Sequence, residues 1–288
     1  MILCIGEIVL DEIKTENKVA RYVGGAPLNV AVNCVLLGHN AGFGWCCGDD
    51  EAGDYLRRRA TRMGLSYLYL GLTKNPTLKS IVTLNHGERD FAFNTNKVYP
   101  KEIENLLLDH LPNVELLHLG SLYLGEEAGY KFGLNLINKM HDKGIKVSFD
   151  VNYRSHIFKS EEEAKTRLCN YVNNCDIIKM SVDEALFLYG AHYLAPLLDL
   201  SKDKIIFVTQ GKEGSFMIDK GIVTECHDNV LNPIDTTGAG DAYFAQALCY
   251  LVEHNFNIDN PLELLTKANK AGAKATQHKG ALPKLKIS

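Results

Sequence analysis

The sequence predicts a three-layer α/β fold, in which helices cover both faces of a mainly parallel sheet and a small β-element stands beside it. Three observations support this prediction. The chain has 288 residues, 46% hydrophobic and 23% charged, which is ordinary globular composition with enough apolar residues for a substantial core. Strand-like apolar runs alternate with helix-like segments over much of the chain. Two stretches, 8–23 and 78–93, interrupt the alternation with strand-like residues.

The alternation is clearest from residue 115 onward. A strand–helix–strand order needs crossover connections, which make neighbouring strands parallel. No long linker, low-complexity tract or internal repeat divides the chain, so we expect a single domain over residues 1–288. Strands are predicted at 115–119, 146–150, 176–179 and 205–209, and helices at 126–140, 161–172, 182–188 and 193–200.

The interrupting stretches 8–23 and 78–93 predict a small β-element that projects from the main sheet. Within the second stretch, 78–84 and 90–93 are strand-like, and the intervening residues 85–88 (NHGE) are a turn signal. One interpretation is an edge hairpin without a function. The other is a lid that keeps water away from a reacting group. The pattern alone leaves both open.

Charge and cysteine content exclude several function classes. The 31 Lys and Arg residues against 35 Asp and Glu give a net charge of -4, and no basic stretch indicates nucleic-acid or membrane-surface binding. No apolar run approaches the roughly 18 residues of a membrane span. The apolar N-terminal stretch lacks a basic region, so it predicts a core strand and not a signal peptide. Eight cysteines without a CxxC pair predict reduced, buried thiols in a cytoplasmic protein.

The first glycine-rich helix start is GGAPLN at residues 24–29, followed by an apolar helix predicted at 30–37. Gly24 and Gly25 let the backbone turn sharply and allow a ligand to approach closely. Pro27 suits the first position of a helix, where its missing N–H costs nothing. Asn29 would then lie in the first turn with its amide available to a polar ligand. The alternative is a plain turn before a helix.

The second glycine-rich helix start is DTTGAGD at residues 235–241, before a helix predicted at 242–253. Small residues at a helix N-terminus leave backbone N–H groups uncovered, and these groups with the helix dipole form an anion site. The stretch matches neither the Walker A pattern nor the dinucleotide fingerprint. Asp241 would be repelled by a bound phosphate, which favours a general base that accepts a proton from a hydroxyl. The alternative is an acid that merely favours the helix start.

Together, GGAPLNVAVNCVLLG and DTTGAGDAYFAQAL resemble the two signature motifs of the ribokinase-like (pfkB-type) carbohydrate kinases, in the same order and at the same separation. The resemblance covers nearly the whole chain. It implies a ribokinase-like α/β sandwich with a β-lid. Shorter pieces resemble the fructokinase branch: Gly6-Glu7 with Asp11, GER at 87–89 before Phe91, DVNYR at 150–154, KMS at 179–181 with Glu184, TQG at 209–211 with Gly214, and GA at 280–281.

The resemblance also implies roles for individual residues. Asp241 would be the catalytic base, with an anion hole at Gly238, Ala239 and Gly240. The sugar would be held by Asp11, Gly24, Gly25 and Asn29, with Asn152 and Arg154 near the sugar or the transferring phosphoryl group. The phosphates and a magnesium-bound water would face Lys179, Ser181 and Glu184, and the nucleotide would lie along Thr209, Gly211 and Gly214 with Asn269 near the adenine. A monovalent cation would be bound by Asp235 and Thr237 and by carbonyl groups near Ala275, His278 and Gly280.

Three positions depart from the family pattern. Ser181 stands where the family often has asparagine, and Val151 stands in place of a proline. Phe158 stands where an aromatic residue, often tryptophan, is common. None of them touches the expected base or anion hole. The first leaves the contacts to the metal-bound water open.

The implied activity is ATP- and Mg²⁺-dependent phosphorylation of a primary sugar hydroxyl, with K⁺ as a further expected cation. Fructose is the preferred acceptor. A 2-keto-3-deoxygluconate kinase or a nucleoside kinase is the alternative, and a non-catalytic sugar-binding regulator is the alternative of another class. Sugar and ATP are the expected partners, without nucleic acid or membrane, and a homodimer through the β-lid is an open expectation.

Overall fold

A computed structural model describes residues 1–15, 18–85, 88–95, 97–106, 108, 111, 113–227 and 232–283. The strands are β1 Ile2–Ile5, β2 Val9–Thr15, β3 Lys18–Gly24, β4 Ala41–Gly48, β5 Tyr67–Thr73, β6 Lys79–Asn85, β7 Glu88–Phe93, β8 Leu116–Leu119, β9 Lys146–Asp150, β10 Ile177–Ser181, β11 Ile205–Thr209, β12 Ser215–Asp219 and β13 Ile222–Cys226. The helices are α1 Ala26–Leu36, α2 Glu51–Ala60, α3 Glu127–Asp142, α4 Glu161–Asn174, α5 Val182–Tyr189, α6 Leu194–Leu200, α7 Ala239–Glu253 and α8 Pro261–Ala275. Short 3-10 helices lie at Lys101–Asn105, Leu122–Gly125, Ser155–Ile157 and Gly211–Glu213.

The large sheet has nine strands in the order β13-β12-β11-β10-β9-β8-β1-β4-β5. All neighbours from β11 to β5 are parallel, and β12 and β13 continue the sheet as antiparallel strands. Strands buried on both faces need continuous apolar runs, which β1 and β8 provide. The predicted mainly parallel sheet is confirmed.

Helices cover both faces of this sheet, as side-chain alternation shows. His118 on β8 and Phe207 on β11 both contact the ring of Phe244 on α7. Phe149 on β9 has the opposite parity in the sheet register, and its ring contacts Tyr171 on α4. Helices α1, α7 and α8 pack together on one side, and α3, α4 and α5 pack in succession on the other. The three-layer prediction is therefore confirmed.

The two interrupting stretches combine into one separate four-stranded sheet in the order β3-β2-β6-β7. Strands β2 and β3 form an antiparallel hairpin, β6 and β7 form another, and β2 pairs with β6 in parallel. The predicted small β-element is thus present, and it is broader than either hairpin alone. Residues 86 and 87 of the predicted turn, including Gly87, lie outside the described residues.

The predicted starts of two helices were wrong, and both errors have the same cause. Gly238 adopts a left-handed φ of 79° and is the N-cap of α7, so the helix begins at Ala239 and not at residue 242. Gly25 has φ 111° and is the N-cap of α1, which begins at Ala26 and not at residue 30. Pro27 therefore occupies the second helical position. Both glycine motifs form helix starts as predicted, but each helix begins a few residues earlier than the predicted bounds. None of the described helices combines the length and the apolar character needed to span a membrane.

Candidate active site

A cavity of about 400 Å³ lies between the carboxyl ends of the large sheet's strands and the small sheet. Ligands in parallel α/β sheets bind at this edge, because the connecting loops diverge there. A separate groove of about 470 Å³ beside α3 contains none of the predicted residues. The cavity is lined by Glu7, Val9, Asp11, Gly25, Ala26, Asn29, Ser80, Phe93, Leu122, Asn152, Arg154, Lys179, Thr236, Thr237, Gly238, Gly240, Asp241 and Ala281.

Asp241 and Asn29 meet at this cavity from the first turns of two helices. The Asn29 amide Nδ2 donates a hydrogen bond of 2.7 Å to the Asp241 carboxylate Oδ2. Burial raises the pKa of Asp241, whereas the hydrogen bond from Asn29 and the charges of Lys179 and Arg154 lower it, and the net shift is upward. Asp241 is thus a carboxylate with increased basicity that faces the cavity.

The glycines around Asp241 keep the helix start open. A Cβ on Gly240 would lie 3.0 Å from the Lys179 Nζ, and a Cβ on Gly238 would lie 2.7 Å from the backbone of Ala281. The N–H groups of a first helical turn have no partner within the helix. The N–H of Ala239 donates to the Thr236 carbonyl at 3.2 Å and is therefore already bonded within the protein. Gly238 and Gly240 are the two glycines of this turn that line the cavity.

Lys179 and Asp150 form a buried ion pair beneath the cavity. Lys179 Nζ lies 2.9 and 3.1 Å from the two carboxylate oxygens of Asp150. Burial raises the pKa of Asp150 to about 6 even though Lys179 opposes the shift. Burial also acts to lower the pKa of Lys179, but the carboxylates of Asp150, Glu184 and Asp241 outweigh it and raise that pKa. The sequence indicated Lys179 but not its partner.

Ser181 and Glu184 form a capping box at the start of α5, outside the cavity lining. The Glu184 carboxylate accepts backbone N–H groups from Ser181 at 2.7 Å and from Tyr153 at 2.8 Å. The Ser181 hydroxyl accepts the Glu184 N–H at 3.2 Å. Serine can therefore cap α5 at a position where the family pattern often has asparagine.

Asn152 and Arg154, which were predicted to lie near the sugar or the phosphoryl group, follow β9 and line the cavity. Asn152 has φ 33°, a conformation that asparagine tolerates better than most residues, and its carbonyl accepts the Ser121 hydroxyl at 3.2 Å. The Arg154 Nη1 donates to the Tyr153 carbonyl at 2.9 Å. The turn after β9 thus brings both residues to the cavity, where the charge of Arg154 acts on Asp241.

The residues expected on the nucleotide side lie away from this cavity. Thr209 ends β11, and Gly211 begins the 3-10 helix that follows. Gly214 has φ 103°, and a Cβ there would lie 2.2 Å from the Cys226 carbonyl. Asn269 is buried, with its amide bonded to the Ser215 hydroxyl at 2.8 Å and to the Cys226 carbonyl at 3.1 Å. Asn269 therefore ties α8 to β12 and β13, a bracing contact that the sequence did not predict.

Of the residues expected at the monovalent-cation site, Thr237 and Gly280 contact Asp235 directly. Its Oδ1 accepts the Thr237 N–H at 3.0 Å and the Thr237 hydroxyl at 2.7 Å, and its Oδ2 accepts the Gly280 N–H at 2.9 Å. His278 donates from Nδ1 to the Gly280 carbonyl at 3.1 Å, and Ala275 is the last residue of α8. Within the described part of the chain, no cluster of His, Cys, Asp or Glu side chains could hold a metal by itself.

Asp11 on β2 reaches the cavity from the small sheet. Burial raises its pKa to about 6, and the charges of Asp235 and Asp241 add to the shift, while a hydrogen bond from Ser80 opposes it. A Cβ on Gly24 would lie 2.2 Å from the Asp11 Oδ2, so glycine at position 24 makes room for this carboxylate. Gly25 is constrained in the same way by the Glu7 carbonyl at 2.3 Å.

Glu7 is a cavity residue to which the sequence assigned no role. It lies between β1 and β2 with only 1% of its surface exposed. An acid two residues after an apolar strand was the available signal.

Comparisons with known proteins agree with this architecture. Residues 1–287 match the model of the pfkB family carbohydrate kinases. The chain is 30% identical to "Probable fructokinase-4" of Arabidopsis thaliana, over 99% of this chain and 93% of that protein. A fructokinase from Vibrio cholerae O395, solved with fructose, ADP and calcium, superposes with a TM-score of 0.82 at 27% identity, covering 97% and 94% of the two chains. Aminoimidazole riboside kinase from Salmonella enterica, solved with its riboside and an ATP analogue, superposes with a TM-score of 0.81 at 26% identity, covering 97% and 94% of the two chains. The chain therefore belongs to the pfkB family of carbohydrate kinases.

Proposed function

We propose that the protein phosphorylates fructose at its primary 6-hydroxyl, with ATP as donor and fructose 6-phosphate and ADP as products. The observation that carries the proposal is the contact between Asn29 and Asp241 at 2.7 Å, on a cavity whose other wall holds Asp11. Two acids and an amide around one small cavity suit a polyhydroxyl ligand, because each group can bond a hydroxyl. The fructokinases among the relatives support fructose as the acceptor.

Asp241 is the proposed base. Its carboxylate lies at the start of α7, where the hydroxyl of a sugar bound by Asp11 and Asn29 would meet the phosphoryl group. The raised pKa of Asp241 suits proton abstraction, since a stronger base gains more from accepting the hydroxyl proton. The transferring group itself needs positioning and charge stabilisation more than covalent help.

The proposed anion hole is the first turn of α7. Backbone N–H groups at Gly238 and Gly240, with the helix dipole, would stabilise negative charge on the transferring oxygens. Lys179 Nζ lies beside Gly240 and adds a positive charge, and Arg154 lies across the cavity. Ala239, the third residue expected in the anion hole, is outside this proposal, because its N–H already donates to the Thr236 carbonyl.

Two cations fit the residues present. Both Glu184 oxygens already accept backbone N–H groups, which orients the carboxylate to bond a magnesium-bound water, with Ser181 beside it. Magnesium would neutralise charge on the ATP phosphates. The Asp235 carboxylate with the carbonyls of Thr237, Ala275, His278 and Gly280 would be an all-oxygen donor set, which suits K⁺. The nucleotide would extend from Lys179 toward Thr209, Gly211, Gly214 and Asn269.

Two other compounds are alternative phosphoryl acceptors. The similarity to aminoimidazole riboside kinase makes a riboside the second candidate, and 2-keto-3-deoxygluconate is the third. A non-catalytic sugar-binding regulator would not need Asp241 in contact with Asn29. We place the protein in the cytoplasm, which the eight free cysteines support.

The test of function is a coupled ADP-release assay with Mg²⁺ and K⁺. The panel holds fructose, tagatose, ribose, 2-keto-3-deoxygluconate and adenosine as acceptors. We expect the highest kcat/KM with fructose. A higher value with another acceptor would replace fructose, and no ADP release with any of them would favour the regulatory alternative.

Replacing Asp241 by Asn should separate binding from catalysis. The amide keeps the shape of the side chain but cannot accept the hydroxyl proton, so we expect kcat to fall by roughly 10²–10⁴-fold with little change in sugar binding. In the wild-type protein kcat should fall as the pH drops through the raised pKa of Asp241. Steady-state kinetics across pH, with sugar binding by calorimetry, measures both. An Asp241→Asn variant with near wild-type turnover would rule out the base.

A further inference from the structure

Glu7 is the most enclosed acid beside the cavity. Only 1% of its surface is exposed, and its Oε2 has no hydrogen-bond partner among the described residues. Burying a carboxyl oxygen without a hydrogen-bond partner costs free energy, so another contact of the Glu7 carboxyl group must offset that cost.

The N-terminus of α1 lacks a cap of its own. Gly25 at the N-cap has no side chain, and the first turn of α1 contains no acidic residue. The backbone N–H groups of Ala26, the first residue of the helix, and of Glu7 itself lie near enough to the Glu7 carboxyl group to lower its pKa. A carboxyl group from the turn between β1 and β2 thus lies beside the first N–H of α1, in the place that a capping side chain would normally occupy.

The capped turn is the one that holds Asn29. The Asn29 N–H donates to the Gly25 carbonyl at 2.9 Å, which closes the first turn of α1. The Asn29 side chain is 4% exposed and donates to Asp241 at 2.7 Å. A shift of this turn would therefore move the amide relative to the catalytic carboxylate.

The packing around Glu7 leaves little freedom. A Cβ on Gly120 would lie 2.9 Å from the Glu7 Oε2 and 2.5 Å from the Pro27 Cγ. A Cβ on Gly6 would also lie 2.5 Å from the Pro27 Cγ. Two glycines and a proline thus enclose the carboxyl group and the helix start together, so the length of the side chain matters.

We propose that Glu7 is a positioning residue that caps α1 from the neighbouring turn and thereby holds Asn29 against Asp241. The inference rests on the proposed function, because turnover is one of its readouts. It adds to that function a residue that acts through Asn29 and not on the sugar.

The charge state of Glu7 allows a discriminating set of variants. Burial raises the pKa of Glu7 to about 8, and the charge of Asp241 adds to the shift, while the N–H groups of Glu7 and Ala26 and the charge of Arg154 oppose it. At neutral pH the side chain is therefore mostly an uncharged acid. Glutamine copies its length and charge, whereas aspartate keeps the carboxyl group but is one methylene too short to reach Ala26.

The kinetic test compares Glu7→Gln, Glu7→Asp and Glu7→Ala at neutral pH. We expect Glu7→Gln to stay within about threefold of wild-type kcat and the other two to lose roughly 10–100-fold, with the KM for ATP unchanged, since a displacement of about 1 Å can cost that much. Glu126→Gln is the matched control, because the Glu126 carboxylate accepts the Tyr99 N–H at 2.6 Å away from the cavity. A Glu7→Asp variant more active than Glu7→Gln, or wild-type turnover in all three, would overturn the proposal.

A double-mutant cycle with Asn29→Ala tests the route of action. If Glu7 acts through Asn29, Glu7→Ala should lower kcat far less in the Asn29→Ala background than in wild type, whereas additive losses would contradict the route. Amide hydrogen exchange at residues 26–29 reports capping without turnover, and we expect at least tenfold faster exchange in Glu7→Ala. Unchanged amide exchange in Glu7→Ala would overturn the capping proposal, whether or not the wild-type protein shows kinase activity. Faster exchange in Glu7→Ala together with an inactive wild-type protein would remove only the proposed function.

Discussion

At the scale of single residues, the site concentrates acids. Glu7, Asp11, Asp150 and Asp241 all have raised pKa values, with burial as the first cause in each case. Mutual repulsion adds to the shifts, because Asp241 raises the pKa of the other three. An anionic nucleotide would meet repulsion here unless cations compensate for it. Lys179 and Arg154 from the protein, with magnesium carried by ATP, are the proposed compensation.

The ion pair of Lys179 and Asp150 should be both structural and catalytic, and two variants separate these roles. Lys179→Met leaves Asp150 buried without a partner, which costs about 3–5 kcal/mol for such pairs. The cost should grow as the pH rises, because the unpaired acid must stay protonated in the folded state and ionises in the unfolded one. Urea unfolding at pH 5 and pH 8 measures the difference.

The companion variant Lys179→Met with Asp150→Asn removes both charges. We expect it to regain most of the stability, because no isolated charge remains buried, but to stay inactive, because the positive charge beside Gly240 is gone. Recovery of turnover along with stability would mean that Lys179 is only structural. A Lys179→Met variant as stable at pH 8 as at pH 5 would contradict the electrostatic account.

At the scale of elements, two glycine-capped helices and the small sheet meet around one cavity. Helix α7 presents Asp241, α1 presents Asn29, and β2 presents Asp11. Tyr22 on β3 packs over Gly280, where a Cβ would lie 3.0 Å from the ring. The small sheet therefore contacts both the cavity, through Asp11, and the loop that bonds Asp235.

Replacing Gly24 by Ala should impair this arrangement through Asp11. The added methyl group would lie 2.2 Å from the Asp11 Oδ2, so the carboxylate must move away from the cavity. We expect the KM for the sugar to rise by about tenfold or more with a smaller effect on the KM for ATP, since one charged hydrogen bond contributes about 1.5–3 kcal/mol. Steady-state kinetics with each substrate varied in turn measures the two constants.

Gly144→Ala is the matched control for Gly24→Ala. Its new methyl group would meet no atom within 4 Å, although φ 70° makes the substitution strained. It should lower the stability by roughly 1 kcal/mol and leave both KM values unchanged. An equal rise in the sugar KM in both variants would show a general effect and not displacement of Asp11.

At the scale of the whole molecule, the small sheet has two outer strands, β3 and β7. Outer strands can pair with another chain, and Val19 on β3 is 55% exposed. We predict a homodimer through the small sheet and a shift toward monomer in Val19→Lys, because a charged side chain opposes edge pairing. Analytical ultracentrifugation at two protein concentrations measures this. Only monomer in the wild-type protein would exclude the dimer.

The strands that the sequence predicted best are those with continuous apolar runs. β11 has the predicted bounds and is such a run, because a parallel strand buried on both faces has few polar residues to obscure its ends. β9 also has the predicted bounds, although Lys146, Ser148 and Asp150 are polar. β4 contains three glycines and two cysteines in eight residues, and its pattern resembles neither a strand nor a helix. The helix starts were misplaced because glycine marks a cap as often as a loop, and only the backbone angles distinguish the two.

By itself the sequence determined the fold class, the two glycine-capped helix starts and Asp241 as the acid of interest, because these depend on local chemistry and hydrophobic periodicity. Only the tertiary structure decided which residues act together. Asp241 and Asn29 are 212 positions apart, and Glu7, Pro27 and Gly120 lie together only because distant segments pack against one another. The pairing of Lys179 with Asp150 and the bracing role of Asn269 also became visible only there. Burial and partner geometry set these properties, and both arise when distant segments pack.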